Sequence, residues 1–296
     1  MTQDTRTFSL ELFPPQTAEG ADKLRAARAQ MALLEPRFFS VTFGAGGSTR
    51  DRTLATVLEI QREGHAAAPH LSCVGSTPDS IRSILEQYRS HGIRHLVALR
   101  GDLPSGMARP GSFRYANELV EFIRAETGDW FTIEVAAYPE YHPQAKSPRD
   151  DLLAFKRKLD AGANSAITQY FYNFDAYAHF IDDCRGIGID VPIVPGVMPI
   201  SSYSSLARFS DNCGAEIPRW IRRRLESYGD DATSIRAFGL DVVTQLCEKL
   251  LASGAPGLHF YTLNQVSLTR ELWHRLRLPG GAARPAVSSS IEGGEA

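Results

Sequence analysis

The sequence predicts an α/β chain folded as a (β/α)8 TIM barrel with an extra helical insert before the last strand. Three observations predict it. Short apolar or β-branched runs alternate with amphipathic stretches, eight such pairs follow one another, and one α/β barrel commonly fills a length of 296 residues.

Strands are expected over residues 7–13, 38–43, 70–74, 95–99, 132–138, 165–171, 192–197 and 258–263. Helical patterns follow over 22–34, 50–62, 79–90, 116–127, 150–160, 176–184 and 203–209, and 268–276 closes the series. The insert occupies 218–228 and 232–251. Thr77-Pro78-Asp79 supplies an N-cap with proline at the first helical position, while Gly92, Gly128, Gly162 and Gly188 fall where helices should stop. No linker, repeat or low-complexity block divides the chain. A single domain over 1–278 is therefore expected, with a Gly/Ala/Ser-rich tail over 279–296 expected to be disordered.

Composition narrows the partners. Lys and Arg total 32 against 34 for Asp and Glu, and the net charge of -2 gives no electrostatic reason to bind nucleic acid or an anionic membrane. A small molecule or another protein is the expected partner. Cys73, Cys184, Cys213 and Cys247 form neither a CxxC pair nor a disulfide-like framework, which fits a reducing cytoplasm. The N-terminus lacks a signal-peptide pattern, and no apolar run reaches the ~18 residues of a membrane span. His91 and His95 straddle Gly92, which breaks the helix needed to align them, and no other grouping has metal-ligand spacing. No metal site is expected.

In a parallel barrel, site residues come from the C-terminal ends of strands and the loops after them. In "FSLELFPP", Leu10 and Leu12 share one face, and Ser9, Glu11 and Phe13 the other. If the leucines meet the helices, Glu11 points into the barrel, as a structural ion pair or as a catalytic acid. The fourth strand ends in "VALRGDLP", placing Arg100 and Asp102 at the rim or in a turn stabilised by Asp102. Gln169, at the end of "AITQ", is suited either to reading a heterocycle edge or to capping a strand. Tyr138 and His142 in "AAYPEYHP" border a flat ring or serve as packing and surface groups.

The glycine-rich "TFGAGGSTRDRT" fails the dinucleotide fingerprint, because Thr49 stands where a third glycine is required after Gly44 and Gly46. The Walker pattern is absent as well. A tight turn on the catalytic rim remains, with or without a ligand.

The motifs "FSLELFPPQT", "FFSVTFGAGG", "APHLSC", "GIRHLVALRGDLP", "VAAYPEYHPQAKS", "AFKRKLDAGANSAITQYFYN", "VPIVPGVMPI" and "LHFYTLN" occur in that order. Together they resemble the methylenetetrahydrofolate reductases of the bacterial, single-domain kind, over about residues 8–278. The resemblance implies an FAD-containing barrel that reduces 5,10-methylenetetrahydrofolate to 5-methyltetrahydrofolate by a ping-pong sequence. NADH or NADPH reduces the flavin and leaves before the folate binds. It also implies a cytoplasmic homo-oligomer serving one-carbon metabolism, tetrahydrofolate interconversion and methionine biosynthesis. Rival readings are a catalytically inactive folate-binding subunit and a barrel enzyme acting on another pterin.

By the same resemblance, Glu11 is the general acid for the folate's leaving nitrogen, and Asp102 sits beside flavin and pterin as a catalytic carboxylate. Gln169, Phe209 and Leu263 match substrate-binding positions. Thr42, His70, Arg100, Gly101, Asp102, Tyr115, Ala116, Ala136, Tyr138, His142, Asp151 and Lys158 match flavin-binding positions. Ser205 and Gln265 depart from the family, where a glutamine and a basic residue occur in some relatives; contacts to the nicotinamide or to the folate's glutamate are affected.

Overall fold

The computed structural model describes residues 6–44, 49–102 and 111–280. Among them the strands are β1 Thr7–Leu12, β2 Phe39–Val41, β3 Ala67–Ser72, β4 His95–Leu99, β5 Thr132–Ala137, β6 Ser165–Thr168, β7 Ile193–Val194, β8 Gly196–Val197 and β9 Gly257–Tyr261. The helices are α1 Ala18–Ala32, α2 Arg50–Arg62, α3 Pro78–Ser90, α4 Ala116–Thr127, α5 Pro148–Asp160, α6 Phe174–Gly186, α7 Tyr203–Cys213, α8 Arg219–Tyr228, α9 Ala232–Ala252 and α10 Val266–Arg275. All strand pairings are parallel, in the order β7-β6-β5-β4-β3-β2-β1-β9-β8.

β7 and β8 are two halves of the seventh barrel strand. β7 pairs with β6 and β8 with β9, so the ring of eight closes into the expected (β/α)8 barrel. The insert, α8 and α9, precedes the last strand as predicted. Of the expected tail, Pro279 and Gly280 are described, and the Pro279 carbonyl accepts from Trp273 Nε1 at 2.8 Å; the remainder lies outside the described residues. Among the described residues no helix is long and apolar enough to cross a membrane.

Two prolines explain where the strands depart from expectation. β3 begins at Ala67, three residues before the predicted start, because Pro69 sits inside it without disrupting it. Ala67–Pro69 pair with β2, and His70–Ser72 pair with β4, so the residue with no N–H falls where the strand changes partners. Pro195 stands at the equivalent changeover between β7 and β8, and its carbonyl accepts from the His259 N–H at 3.0 Å.

The period-two pattern divides each strand's chemistry. Leu10 and Leu12 are fully buried in the same outer core as Leu24 and Met31 of α1, as are Leu258 and Phe260. Each such side chain contributes about 1.5–3 kcal/mol by leaving water. The alternate residues, Ser9, Glu11, His259 and Tyr261, face the barrel interior. There they meet a small apolar cluster of Phe38, Ala68, Val97 and Ile167, together with a His95 Nε2–Glu134 Oε1 pair at 2.9 Å.

Closure at the split strand depends on Tyr261. Its hydroxyl crosses to donate to the Thr168 carbonyl at 2.7 Å, while Thr168 Oγ1 accepts from Gly196 N at 2.9 Å. A Cβ on residue 196 would lie 2.2 Å from the Thr168 carbonyl oxygen and 2.6 Å from the Tyr261 ring. Only glycine fits. Gly196→Ala should therefore destabilise the barrel by about 1–3 kcal/mol, the usual cost of overpacking, measurable as a lower denaturant midpoint; an unchanged midpoint would show that the seam relaxes freely.

Candidate active site

A cleft of about 500 Å³ opens at the C-terminal ends of the strands, within the size range of cofactor sites. It brings together Glu11 and Asp102 with the predicted substrate positions Gln169, Phe209 and Leu263. Five predicted cofactor positions besides Asp102 also line it: Thr42, His70, Ala136, Tyr138 and His142. These groups come from β1, β3, β5, α7 and the loops after five strands, which is the convergence a closed barrel provides.

Local backbone chemistry aims them. Gly101 has φ of +83°, and a Cβ there would lie 1.8 Å from Ser72 Oγ, so the chain leaving β4 can press against β3 only as glycine. Ser72 Oγ donates to the Arg100 carbonyl at 2.9 Å, and the next turn delivers Asp102 to the cleft. Beyond β9, Leu263 and Asn264 both adopt left-handed φ, 51° and 58°, each at a cost of about 1 kcal/mol. Asn264 offsets this by accepting from Phe13 N at 2.9 Å and donating to Phe13 O at 3.0 Å. Thr262 Oγ1 donates to the Glu11 carbonyl at 2.6 Å, so Leu263 is held beside Glu11.

Glu11 is 7% exposed. Its Oε2 lies 3.5 Å from His70 Nε2 and 3.9 Å from His259 Nε2. The nearer approach is electrostatic and not a hydrogen bond, because the buried His70 Nε2 has no hydrogen-bond partner. Burial holds His70 below its ordinary pKa, against the opposing pull of Glu11, and favours the neutral ring. On the far side, Ser9 Oγ is hydrogen-bonded to His259 Nδ1 at 2.7 Å. A Ser9–His259–Glu11 file thus runs from inside the barrel into the cleft.

The cations stand behind the lining. Arg100 Nη2 donates to Gln144 Oε1 at 2.7 Å. Lys158 Nζ donates to the Ala136 carbonyl, and burial pulls it down to about 8 despite Asp151 nearby. Asp151 Oδ2 accepts from the His142 N–H at 3.0 Å. His142 Nδ1 accepts from Gln144 N at 3.0 Å, which leaves the ring proton on Nε2; burial, then Arg100, lowers its pKa. Tyr138 meets His142 edge to face at 4.7 Å, and burial pushes its hydroxyl up to about 12.

Not every predicted residue is gathered. Gly101 acts through its backbone and Arg100, Asp151 and Lys158 support lining groups, while Tyr115, exposed at the start of α4, and Ala116 do not line the cleft. Ser205 and Gln265 do not line the cleft either. In the glycine loop, the Gly44 N–H donates to Thr49 Oγ1 at 2.6 Å, and Thr53 Oγ1 donates to the Thr42 carbonyl at 2.8 Å. The Gly44 amide is therefore engaged within the turn. Residues 45–48 lie outside the described residues.

Sequence reasoning missed His259 and Glu134. Both were accessible by the alternation that found Glu11: "GLHFY" sets His259 opposite Leu258 and Phe260, and "TIEVAA" sets Glu134 opposite Ile133 and Val135.

The family model for methylenetetrahydrofolate reductase matches residues 1–277. The 5,10-methylenetetrahydrofolate reductase of Escherichia coli (strain K12) is 43% identical over 274 residues, covering 92% of this chain and 91% of that protein. The probable methylenetetrahydrofolate reductase (NADH) of Oryza sativa subsp. japonica is 42% identical over 276 residues, covering 88% of this chain and 46% of the relative. Among solved structures, an uncharacterized protein from Clostridium thermocellum that binds two copies of 5-methyl-5,6,7,8-tetrahydrofolic acid superposes with a TM-score of 0.63 at 17% identity. It covers 90% of this chain and 93% of that one, a likeness of fold. With a family model and close relatives both spanning nearly all of it, the chain belongs to the methylenetetrahydrofolate reductase family.

Proposed function

We propose that the protein reduces 5,10-methylenetetrahydrofolate to 5-methyltetrahydrofolate, with FAD in the cleft and NADH or NADPH as donor, by a ping-pong sequence. Family membership supports folate reduction, and the name of the rice relative supports NADH. The observation that carries the reading is the meeting of Glu11, Asp102 and Gln169 in one cleft with the unpartnered, buried His70 Nε2.

The residues fit a flavin. An orphaned polar atom in a buried wall needs a partner that the protein does not supply, and a heteroatom of a bound ring would satisfy it. Thr42, His70, Ala136, Tyr138 and the Gly101 backbone would hold the ring system. Arg100, Lys158 and the Nε2–H of His142 would hold phosphate or ribose oxygens, with Asp151 fixing the His142 loop and Tyr115 and Ala116 serving the remote end. A flavin held there would supply hydride chemistry between the nicotinamide donor and the folate's one-carbon unit.

The chain's own part in the chemistry is proton movement and orientation. Glu11 donates a proton from its carboxyl to the leaving nitrogen of the folate ring, opening it to the reactive iminium. His259, held by Ser9, is placed to orient Glu11. Gln169 reads the donor–acceptor edge of the pterin, Phe209 stacks on the substrate, and Leu263 borders it. The Asp102 charge disfavours nearby negative charge, and so promotes hydride donation.

Purified protein should be yellow and should bleach anaerobically with NADH or NADPH, with methylenetetrahydrofolate restoring the colour. Colourless protein that cannot be reconstituted with FAD would sink the reading. Glu11→Gln should leave the bleaching step intact and slow folate-driven reoxidation on the order of 100-fold; equal slowing of both steps would make Glu11 structural. Lys158 carries its proton below about pH 8 and loses it above, so FAD retention should weaken as pH rises through that value. Lys158→Met should bind FAD less tightly at neutral pH and show a flatter profile, and parallel profiles would remove Lys158 from phosphate binding.

A further inference from the structure

Resting on the folate reading above, the charge layout of the cleft locates the contact for the far end of the substrate. A folate ends in a glutamate with two carboxylates. The described lining of the cleft holds Glu11 and Asp102 and includes no Lys or Arg, so a dianion is repelled from the floor and points outward.

The cations behind the lining are engaged, and the two positions that depart from the family are uncharged. Arg100 donates to Gln144 and to the Gly101 carbonyl, Lys158 donates to the Ala136 carbonyl, and Ser205 and Gln265 carry no charge. Arg208 is different. It directly precedes Phe209 on α7, is exposed, and forms no ion pair among the described residues. Its guanidinium lies over the Phe209 ring, 5.7 Å from the centroid, and that ring lines the cleft. A planar fork of donors beside an aromatic ring matches a benzoyl group that runs on into a carboxylate. Helix α8 carries Arg219, Arg222, Arg223 and Arg224 together with Glu226. It is joined to α7 where Arg222 Nη1 donates to Tyr203 Oη at 3.4 Å.

We infer that Arg208 is the specificity-determining contact for the glutamate of the folate, with Phe209 taking the adjoining ring.

The test compares FAD-loaded wild type, Arg208→Met and Arg208→Lys on two substrates: methylenetetrahydrofolate, and the same pterin truncated before its glutamate. Arg208→Met should raise KM for the full substrate roughly tenfold, the scale of one charge-assisted hydrogen bond, with kcat and the NADH-driven bleaching step unchanged. Arg208→Lys should fall between, and the wild-type KM for the full substrate should rise with salt. The truncated substrate should not distinguish wild type from Arg208→Met. An equal rise for both substrates would mean that Arg208 serves only to pack Phe209, and an unchanged KM for the full substrate would remove it from recognition; either overturns the inference. Wild type that turns over neither substrate would instead overturn the folate reading, and this inference with it.

Discussion

The interior crossing of Tyr261 is the constraint on which the rest of the molecule depends. A parallel barrel must return its last strand to its first, and here the seventh strand has only two residues on each side of Pro195 to bridge β6 and β9. So short a ladder is weak by itself. The Tyr261 hydroxyl on Thr168, and the close fit at Gly196, tie the two edges through the interior. Glu11 on β1 and His70 on β3 reach a common cleft with Gln169 beyond β6 only because that ring is closed.

Charge within the molecule is sorted by depth. The floor of the cleft is built from carboxylates and imidazoles, with His70 held toward its neutral form by burial. Guanidinium and ammonium groups lie behind it or at its rim, on carbonyls and amides such as those of Ala136 and Gln144. Acidic and basic side chains are thereby kept apart within one site.

Much of this was legible in the sequence, because the barrel is written in local patterns. Six helices start on the predicted residue or within one of it, at Arg50, Pro78, Ala116, Tyr203, Arg219 and Ala232. Strand ends are less legible, since Tyr170 and Phe171 continue an aromatic run after the ladder has ended at Thr168. The changeover role of Pro69 depends on which neighbours a strand pairs with, which no local pattern contains. The inward position of Glu11 followed from alternation alone; its histidine neighbours come from β3 and β9, so their meeting is a property of closure. Arg208 carried no sequence signal, because a lone exposed arginine becomes informative only when the surrounding charges are known.

The alternation of Leu10, Glu11 and Leu12 has a further consequence for how such a chain can change. Adjacent positions on one strand answer to separate physical demands, one set by packing against α1 and its neighbours, the other by the polarity of the interior. Substitutions on the outer face can adjust stability while the chemistry is left alone, and those on the inner face can alter the chemistry while the outer shell still folds. In this barrel, robustness and novelty are encoded one residue apart.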